Sequence, residues 1–448
     1  MVVHVVGAGL AGSEAAWQLA ERGVDVVVHE MRPGRTTPAH KTSQFAELVC
    51  SNTFKSTERT NAHGLLKQEM RLLGCMILSA ADQARVAAGS ALAVDREVFA
   101  AAVTERLTTH PRVTVVHEEC TTLPSPGIVA TGPLTSSALA LVIQQRLGVE
   151  SLAFYDAIAP IVARDSIDMS VAFRAARYDK ETMAEAAAEG AYINCPLSRD
   201  EYDAFIDALT SADQYASQHD FDDVPYFEGC MPIEEMARRG RDTLRFGPMK
   251  PVGLRDPRTG RTPWAVVQLR MEDRAERMWN LVGCQTRLRH GEQQRVFRMI
   301  TGLAGAEFLR FGSMHRNSYL NTPAALTPHL ALRDDHLTMF AGQVTGVEGY
   351  TESAATGLLA GINMARMMAG DEPTLPPATT MLGALYRYLR ESDPANFQPM
   401  NANFGLVDDL ADPPRDKRLK RERLADRALG DLATWRDAEA LAGSGVST

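Results

Sequence analysis

Paired cysteines are the first thing this sequence lacks. Its six cysteines (50, 75, 120, 195, 230 and 284) are scattered over 448 residues with no C-x-x-C pair, which excludes a zinc knuckle and a dithiol redox motif. So few thiols in so long a chain fit a reducing cytoplasm rather than a disulfide scaffold. An excess of positive charge is also missing. Against 56 acidic residues stand 47 Lys and Arg, a formal charge of −9; this argues against indiscriminate nucleic-acid binding but leaves room for a local basic face. No long apolar run exists either. Residues 120–145 are uncharged, but Pro124, Pro126, Gly127, Gly132 and Pro133 interrupt them, so they cannot form a spanning helix. The opening MVVHVVGAGLAG has no basic n-region and no cleavage site, and it reads as strand and turn rather than signal peptide. A cytoplasmic protein without membrane contact or metal is expected.

What is present is an average globular composition, 45% hydrophobic and 23% charged, in a chain too long for one core. The most informative segment is VVHVVGAGLAGSEAAWQLAERGVDVVVHE. Val2–Val6 reads as a buried strand, Gly7, Gly9 and Gly12 form G-x-G-x-x-G, and residues 10–22 read as a helix closed by Gly23. A second strand runs over 24–29 into Glu30. The three glycines act differently. The first permits the turn, the second admits a pyrophosphate to the backbone, and the third lets helix pack on strand. Helix-start amides supply donors, and Glu30, 18 residues past Gly12, is placed to hold the adenosine ribose. Ala8, Leu10, Ala11, Met31 and Arg32 belong to the same expected contact set.

Two later segments favour FAD over NAD. GIVATGPLTSS (127–137) is a strand followed by Ala-Thr-Gly, with Gly132 at the return to the nucleotide. TMFAGQVTGVEGYTESAATGLLAGINMAR is a strand, a glycine-rich loop carrying Gly342, Gln343 and Gly349, and a helix over about 350–367 whose N-terminus suits a flavin ring or phosphates. No second G-x-G-x-x-G follows a strand, so NAD(P)H would lack a dedicated domain of the usual kind. The expected fold is α/β: a Rossmann-like, glutathione-reductase-like FAD domain split between 1–155 and 326–448, with an inserted α/β substrate domain at 156–325.

ELVCSNTFKS sets Cys50 at a turn beside polar and cationic residues. The plain reading is a small buried hydrophobe; the sharper one is a nucleophile or a base. Ser51 and Asn52 read as turn chemistry. In the insert, Cys230 precedes Pro232, an N1 residue for a short helix ended by Gly240, and a helix start lowers a thiol pKa while Glu228, Glu234 and Glu235 oppose that effect. Cys75, Cys120 and Cys195 are assigned to packing, and Cys284 to the core beside a strand. Between Arg238 and Arg261 lie eight Lys and Arg (238, 239, 241, 245, 250, 255, 258, 261) against Asp242 and Asp256. That run is either a solvated surface or a phosphate-binding face, with Arg238, Arg239, Arg241, Arg245 and Lys250 as RNA-binding candidates. The tail RDKRLKRERLADRALGDLATW reads as a solvated helix.

Taken in order, GAGLAGSEAAWQLA, LVCSNTFKS, ALAVDREVF, FEGCMPIEEMARRGRDTLRFGPMKPVGL, RFGSMHRNSYLN, FAGQVTGVEGYTESAATGLLAGIN and FQPMNANFGL resemble the folate-dependent tRNA uracil-5-methyltransferase (TrmFO) family over residues 1 to about 406. The resemblance implies methylation of C5 of a T-loop uridine in tRNA. The carbon would come from 5,10-methylenetetrahydrofolate and the reducing equivalents from NAD(P)H through FAD. It places the family's two cysteines on Cys50 and Cys230, with Cys230 read as the nucleophile at uracil C6 and Cys50 as the base or flavin protector; the reverse assignment stays open. His315 and Arg316 are folate or RNA contacts, or parts of a domain-crossing loop. The competing readings are an MnmG-like wobble-uridine modifier, a ribosomal-RNA uridine methyltransferase, a small-molecule FAD oxidoreductase, and a non-catalytic RNA-binding flavoprotein. Oligomeric state is not fixed by the sequence.

Overall fold

A computed structural model describes residues 1–148, 152–177, 190–215 and 231–439. Its first sheet is wholly parallel. Across it run Thr338–Phe340, Gly127–Val129, Val2–Val6, Asp25–His29 and Val113–Val116. A strand recruited from about two hundred residues away thus completes the sheet begun at the N-terminus. The strands are short and valine-rich because both faces are covered: Val3, Val5 and Val28 have no exposed surface.

Helix Leu10–Glu21 lies against this sheet and helix Tyr350–Ala369 lies against that helix. Their approach is set by missing side chains. A Cβ on Gly357 would fall 2.1 Å from the Ala11 carbonyl oxygen, and one on Gly361 would fall 2.6 Å from that of Ala15. Two buried glutamates cap neighbouring helices. Glu14 accepts the amides of Met76 and Ile77, and Glu69 accepts those of Met381 and Leu382, satisfying donors that a helix start leaves open. The helix Lys417–Ala438, expected to be solvated, buries Leu424, Ala425, Ala428, Leu432 and Trp435 in the same core. Their three- and four-residue spacing puts them on one face, which charged residues on the other sides obscure in the sequence.

The second sheet is antiparallel throughout. Its order is Phe173–Arg174, Tyr192–Leu197, Ala265–Met271, Met278–Leu281, Ile161–Ala163 and Phe308–Arg310. Between the two sheets, Leu152–Ile158 pairs antiparallel with Ser313–Tyr319, so the chain leaves and returns along adjacent strands. The second core also takes in Val86, Ala87, Ala88 and Ala93 from the N-terminal region. Polar ties cross the same boundary. Asn52, fully buried, donates to the carbonyls of Val94 and Met271 and accepts from Arg270 Nε at 2.8 Å, while Asp95 Oδ2 accepts the Arg274 amide at 3.0 Å. Asn52, read from sequence as turn chemistry, is therefore a cross-link between the two sheets' surroundings. Among the described residues, no helix is long and apolar enough to cross a membrane.

Candidate active site

The glycine loop ends the first strand and opens the first helix. Gly7 has φ +96°, and a Cβ there would meet the Ala130 oxygen at 2.8 Å; on Gly12 it would meet the Gly7 oxygen at 1.8 Å. Gly9 differs: nothing lies within 4 Å of its would-be Cβ. Gly7 and Gly12 therefore hold the fold together, and Gly9 leaves open space. Helix Leu10–Glu21 has no side-chain cap, so its first-turn amides face that space, as an anion site requires.

The space is a cavity of about 1030 Å³ lined by Gly7, Gly9, Leu10, Ala11, Glu30, Met31, Arg32, Gly132, Gly342 and Gln343 among others. Ala8 is buried behind the loop, its amide donating to Glu30 Oε2 at 3.0 Å. Burial pushes the Glu30 carboxyl up, but hydrogen bonds and charge from Arg32 outweigh it and hold the group below the usual carboxylate range. Arg32 reaches Glu30 at 2.9 Å and Glu47 at 3.2 Å. A fixed, ionised acceptor thus lies at the end of the second strand, where a ribose diol would sit. The donor-lined loop, the opening at Gly9 and this carboxylate fit FAD. His29, Glu118, Glu119, Thr131, Ser136 and Ser353 also line the cavity; none stands out in the sequence as a contact, although His29, Thr131, Ser136 and Ser353 lie within the glycine-bearing nucleotide segments. Cys120, assigned to packing, is on the wall too, half-buried, with its thiol donating to the Thr122 carbonyl. It follows Glu118 and Glu119 in the chain, outside any glycine loop, so only the fold reveals this. Cys75, Cys195 and Cys284 are buried, and burial raises each thiol's pKa.

A second cavity of about 1190 Å³ adjoins the first, sharing Val49, Pro133, Leu134, Gln343 and Tyr350. Cys50 lies on its wall with Lys55, Arg270, Asn280, Asn317, Glu348 and Gly349. The Cys50 loop is tied down on every side. Arg96 donates to the carbonyls of Leu48 and Cys50, and Arg310 Nη2 donates to Val49 O at 2.7 Å. The amides of Cys50 and Ser51 both donate to Tyr350 Oη, at 2.9 and 3.1 Å. Arg96 is anchored by Glu272 at 2.5 Å. Burial raises the Tyr350 phenol's pKa, which keeps it neutral. The half-buried thiol contacts the Ala157 carbonyl at 3.8 Å, where the chain passes between the two sheets.

Cys230 lies outside the described residues. The described chain resumes at Met231, and Pro232 is the N-cap of helix Ile233–Arg238 rather than its first residue, with Arg239 rather than Gly240 at its end. The Ile233 amide donates to Gln285 O at 2.7 Å, and Gln285 lines the Cys50 cavity. The basic run divides. Arg241 is paired with Asp203 and Asp207, and Arg238 with Glu235. Arg245 donates from Nε to Trp264 O, and its guanidinium lies 3.7 Å from the Trp264 ring centroid. Lys250 is exposed, and Arg239 precedes Gly240 at the end of its helix. The side chains of His315 and Arg316 are outside the described set.

A split parallel sheet, a glycine loop facing a deep cavity and a strand-end carboxylate define a flavoprotein of the dinucleotide-binding class, carrying a large insert. A family model described as "GIDA: Glucose inhibited division protein A" matches residues 2–372. The chain is 55% identical over 97% of its length to a Geobacter sulfurreducens protein (98% of it covered), and 56% identical over 97% to one from Desulforudis audaxviator (98% covered). Both are named methylenetetrahydrofolate--tRNA-(uracil-5-)-methyltransferase TrmFO. The structure of Aquifex aeolicus GidA shares the fold, with TM-score 0.70 at 15% identity over 99% of this chain and 74% of that one. The chain belongs to the TrmFO family, within the wider GidA group.

Proposed function

We propose that this protein methylates C5 of a tRNA uridine to give ribothymidine, with 5,10-methylenetetrahydrofolate as carbon donor, and that the target is the T-loop uridine. Its family membership supports the reaction. The observation that carries it is the placement of Cys50, on a clamped loop where the dinucleotide cavity opens into a second cavity. We further propose NAD(P)H as reductant, a cytoplasmic setting, and a division into 1–155 with 326–448 and an insert at 156–325; the paired strands Leu152–Ile158 and Ser313–Tyr319 support that division.

Uracil C5 is a poor nucleophile until a thiolate adds to C6 and makes an enolate, after which C5 can attack an electrophilic carbon. A base then removes the C5 proton, and expulsion of the thiolate restores the ring. Cys230 is assigned the addition, because it belongs to the insert beside the basic run and the nearby Ile233 amide donates to the carbonyl of Gln285, which lines the Cys50 cavity. Cys50 is assigned the proton transfer, its loop being held by Arg96, Arg310 and Tyr350. The carbon arrives at the formaldehyde level and needs two electrons to become a methyl group, which FAD, once bound and reduced by NAD(P)H, would supply. Gly7, Ala8, Gly9, Leu10, Ala11, Gly12, Glu30, Met31, Arg32, Gly132, Gly342, Gln343 and Gly349 are the proposed FAD contacts or their immediate supports.

The test is ribothymidine formation on unmodified tRNA transcript with methylenetetrahydrofolate and NADPH. Wild type should form it, and Cys50→Ala and Cys230→Ala should not, while both keep FAD. NADPH oxidation without methylation of any tRNA would sink the reading and promote a different RNA target or a small-molecule oxidoreductase.

A further inference from the structure

We infer that Phe246 is a base-stacking platform for an unstacked nucleotide of the RNA substrate, at the rim of the catalytic cavity. The inference rests on the RNA reading above and deepens it. Phe246 is 76% exposed, while its neighbour Leu244 in the same short turn, Thr243–Phe246, is fully buried. The turn is rigid. The Met249 amide donates to Leu244 O at 2.8 Å and the Val266 amide to Met249 O at 2.9 Å. It is also fixed to the cavity: a Cβ on Gly283, which lines the Cys50 cavity, would lie 2.3 Å from Pro248 Cβ. Phe246 is thus held open to solvent two residues from a proline wedged on the cavity wall.

Its surroundings specify the partner. The Arg245 guanidinium stacks on Trp264 at 3.7 Å and lies 5.6 Å from the Phe246 ring centroid, so indole, guanidinium and phenyl form a cluster whose last member is open. Planar cations and aromatics in series are what unpaired bases stack on. Lys250, Arg255 and Arg261 are exposed on the same segment. Of its two acids, Asp256 is paired with Arg258 and Asp242 is exposed at the start of the turn, so the surround keeps a net cationic character suited to phosphates. Arg245, read from sequence as a phosphate contact, takes a different part: held by the Trp264 carbonyl, it stiffens the platform. A target base inside a folded RNA must leave its stack before a thiolate can reach C6, and a platform at the rim holds a neighbouring base while it does so.

The experiment measures binding of unmodified tRNA transcript, and its KM in methylation, for wild type, Phe246→Ala, Phe246→Leu and Phe246→Trp. Alanine and leucine should each raise both constants about tenfold (about 1.4 kcal/mol) while tryptophan preserves them. The salt dependence of binding should keep its slope in Phe246→Ala, because a phenyl ring neutralises no phosphate. FAD content and RNA-independent NADPH oxidation should be unchanged throughout. Wild-type constants in the alanine or the leucine variant would overturn the platform and leave the methyltransferase reading standing. A change of oligomeric state in Phe246→Ala with unchanged RNA affinity would make the ring a contact between two copies instead. Wild-type protein with no affinity for the transcript would overturn both readings.

Discussion

Replacing Arg310 by Met tests whether the Cys50 loop must be clamped from the insert side. Arg310 Nη2 donates to Val49 O at 2.7 Å, a charge-assisted bond worth about 1.5–3 kcal/mol. The net cost should fall near the lower end. Burial and the like charge of Arg96 both weaken the Arg310 cation, whose pKa is lowered in consequence, so the substitution also relieves some repulsion. The catalytic cost should be larger than the stability cost. Arg96 still holds the carbonyls on either side of Val49, so the loop stays folded but gains freedom at its centre. A displacement of about 1 Å at a reacting group costs about a hundredfold. Ribothymidine formation at saturating tRNA should therefore fall ten- to a hundredfold in Arg310→Met, with the KM for tRNA within about twofold and FAD content unchanged. Arg310→Lys, which keeps a cationic donor on a different geometry, should recover part of the rate. A Met variant with wild-type turnover would refute the clamp as a determinant of Cys50 geometry.

The glycines of the nucleotide loop separate fold from ligand. Gly9→Ala should fold normally yet bind FAD at least tenfold more weakly, by absorbance titration of apoprotein, since the methyl occupies open space where a pyrophosphate would approach. Gly12→Ala, with its Cβ 1.8 Å from the Gly7 oxygen, should lower the melting temperature of the apoprotein itself; an unchanged apoprotein would contradict the packing described. Gly357→Ala should act similarly from the far end of the chain, separating two helices in contact at Ala11 and costing about 2 kcal/mol or more, measured by urea denaturation. Glu352 gives an acid limb. Burial raises its carboxyl, but Lys55, His63 and the Ala402 amide prevail and hold it at about 2 against an ordinary 4.5. Its contribution, on the order of 3 kcal/mol, is present above about pH 4.5 and is lost as pH falls toward 2. The stability gap between wild type and Glu352→Gln should thus narrow between pH 5 and pH 3; a gap constant over that range would show that the carboxylate is not ionised in the fold.

Local chemistry settled much of this molecule in advance. The strand at Val2–Val6, the helix beginning at Leu10, Gly23 following its end and the long helix from Tyr350 lie where valine runs, glycines and alanine-rich periodicity put them, because those signals act over a few residues. The family motifs likewise announced Cys50 and Cys230 as residues of interest. What surrounds a residue in space is another matter. Nothing near Cys50 in the chain announces Arg96, Arg310 and Tyr350, up to 300 residues distant, since any of 47 basic residues could have met that loop. Gly357 and Gly361 are visible as a G-x-x-x-G pair, but their partners Ala11 and Ala15 are chosen only when the C-terminal strand joins the N-terminal sheet. Cys120 shows the same limit, as does Arg241, whose charge Asp203 and Asp207 offset. Sequence determines what each short segment can be, because backbone preference and periodicity are local; long-range packing decides which segments meet, and the chemistry of the site lies in those meetings.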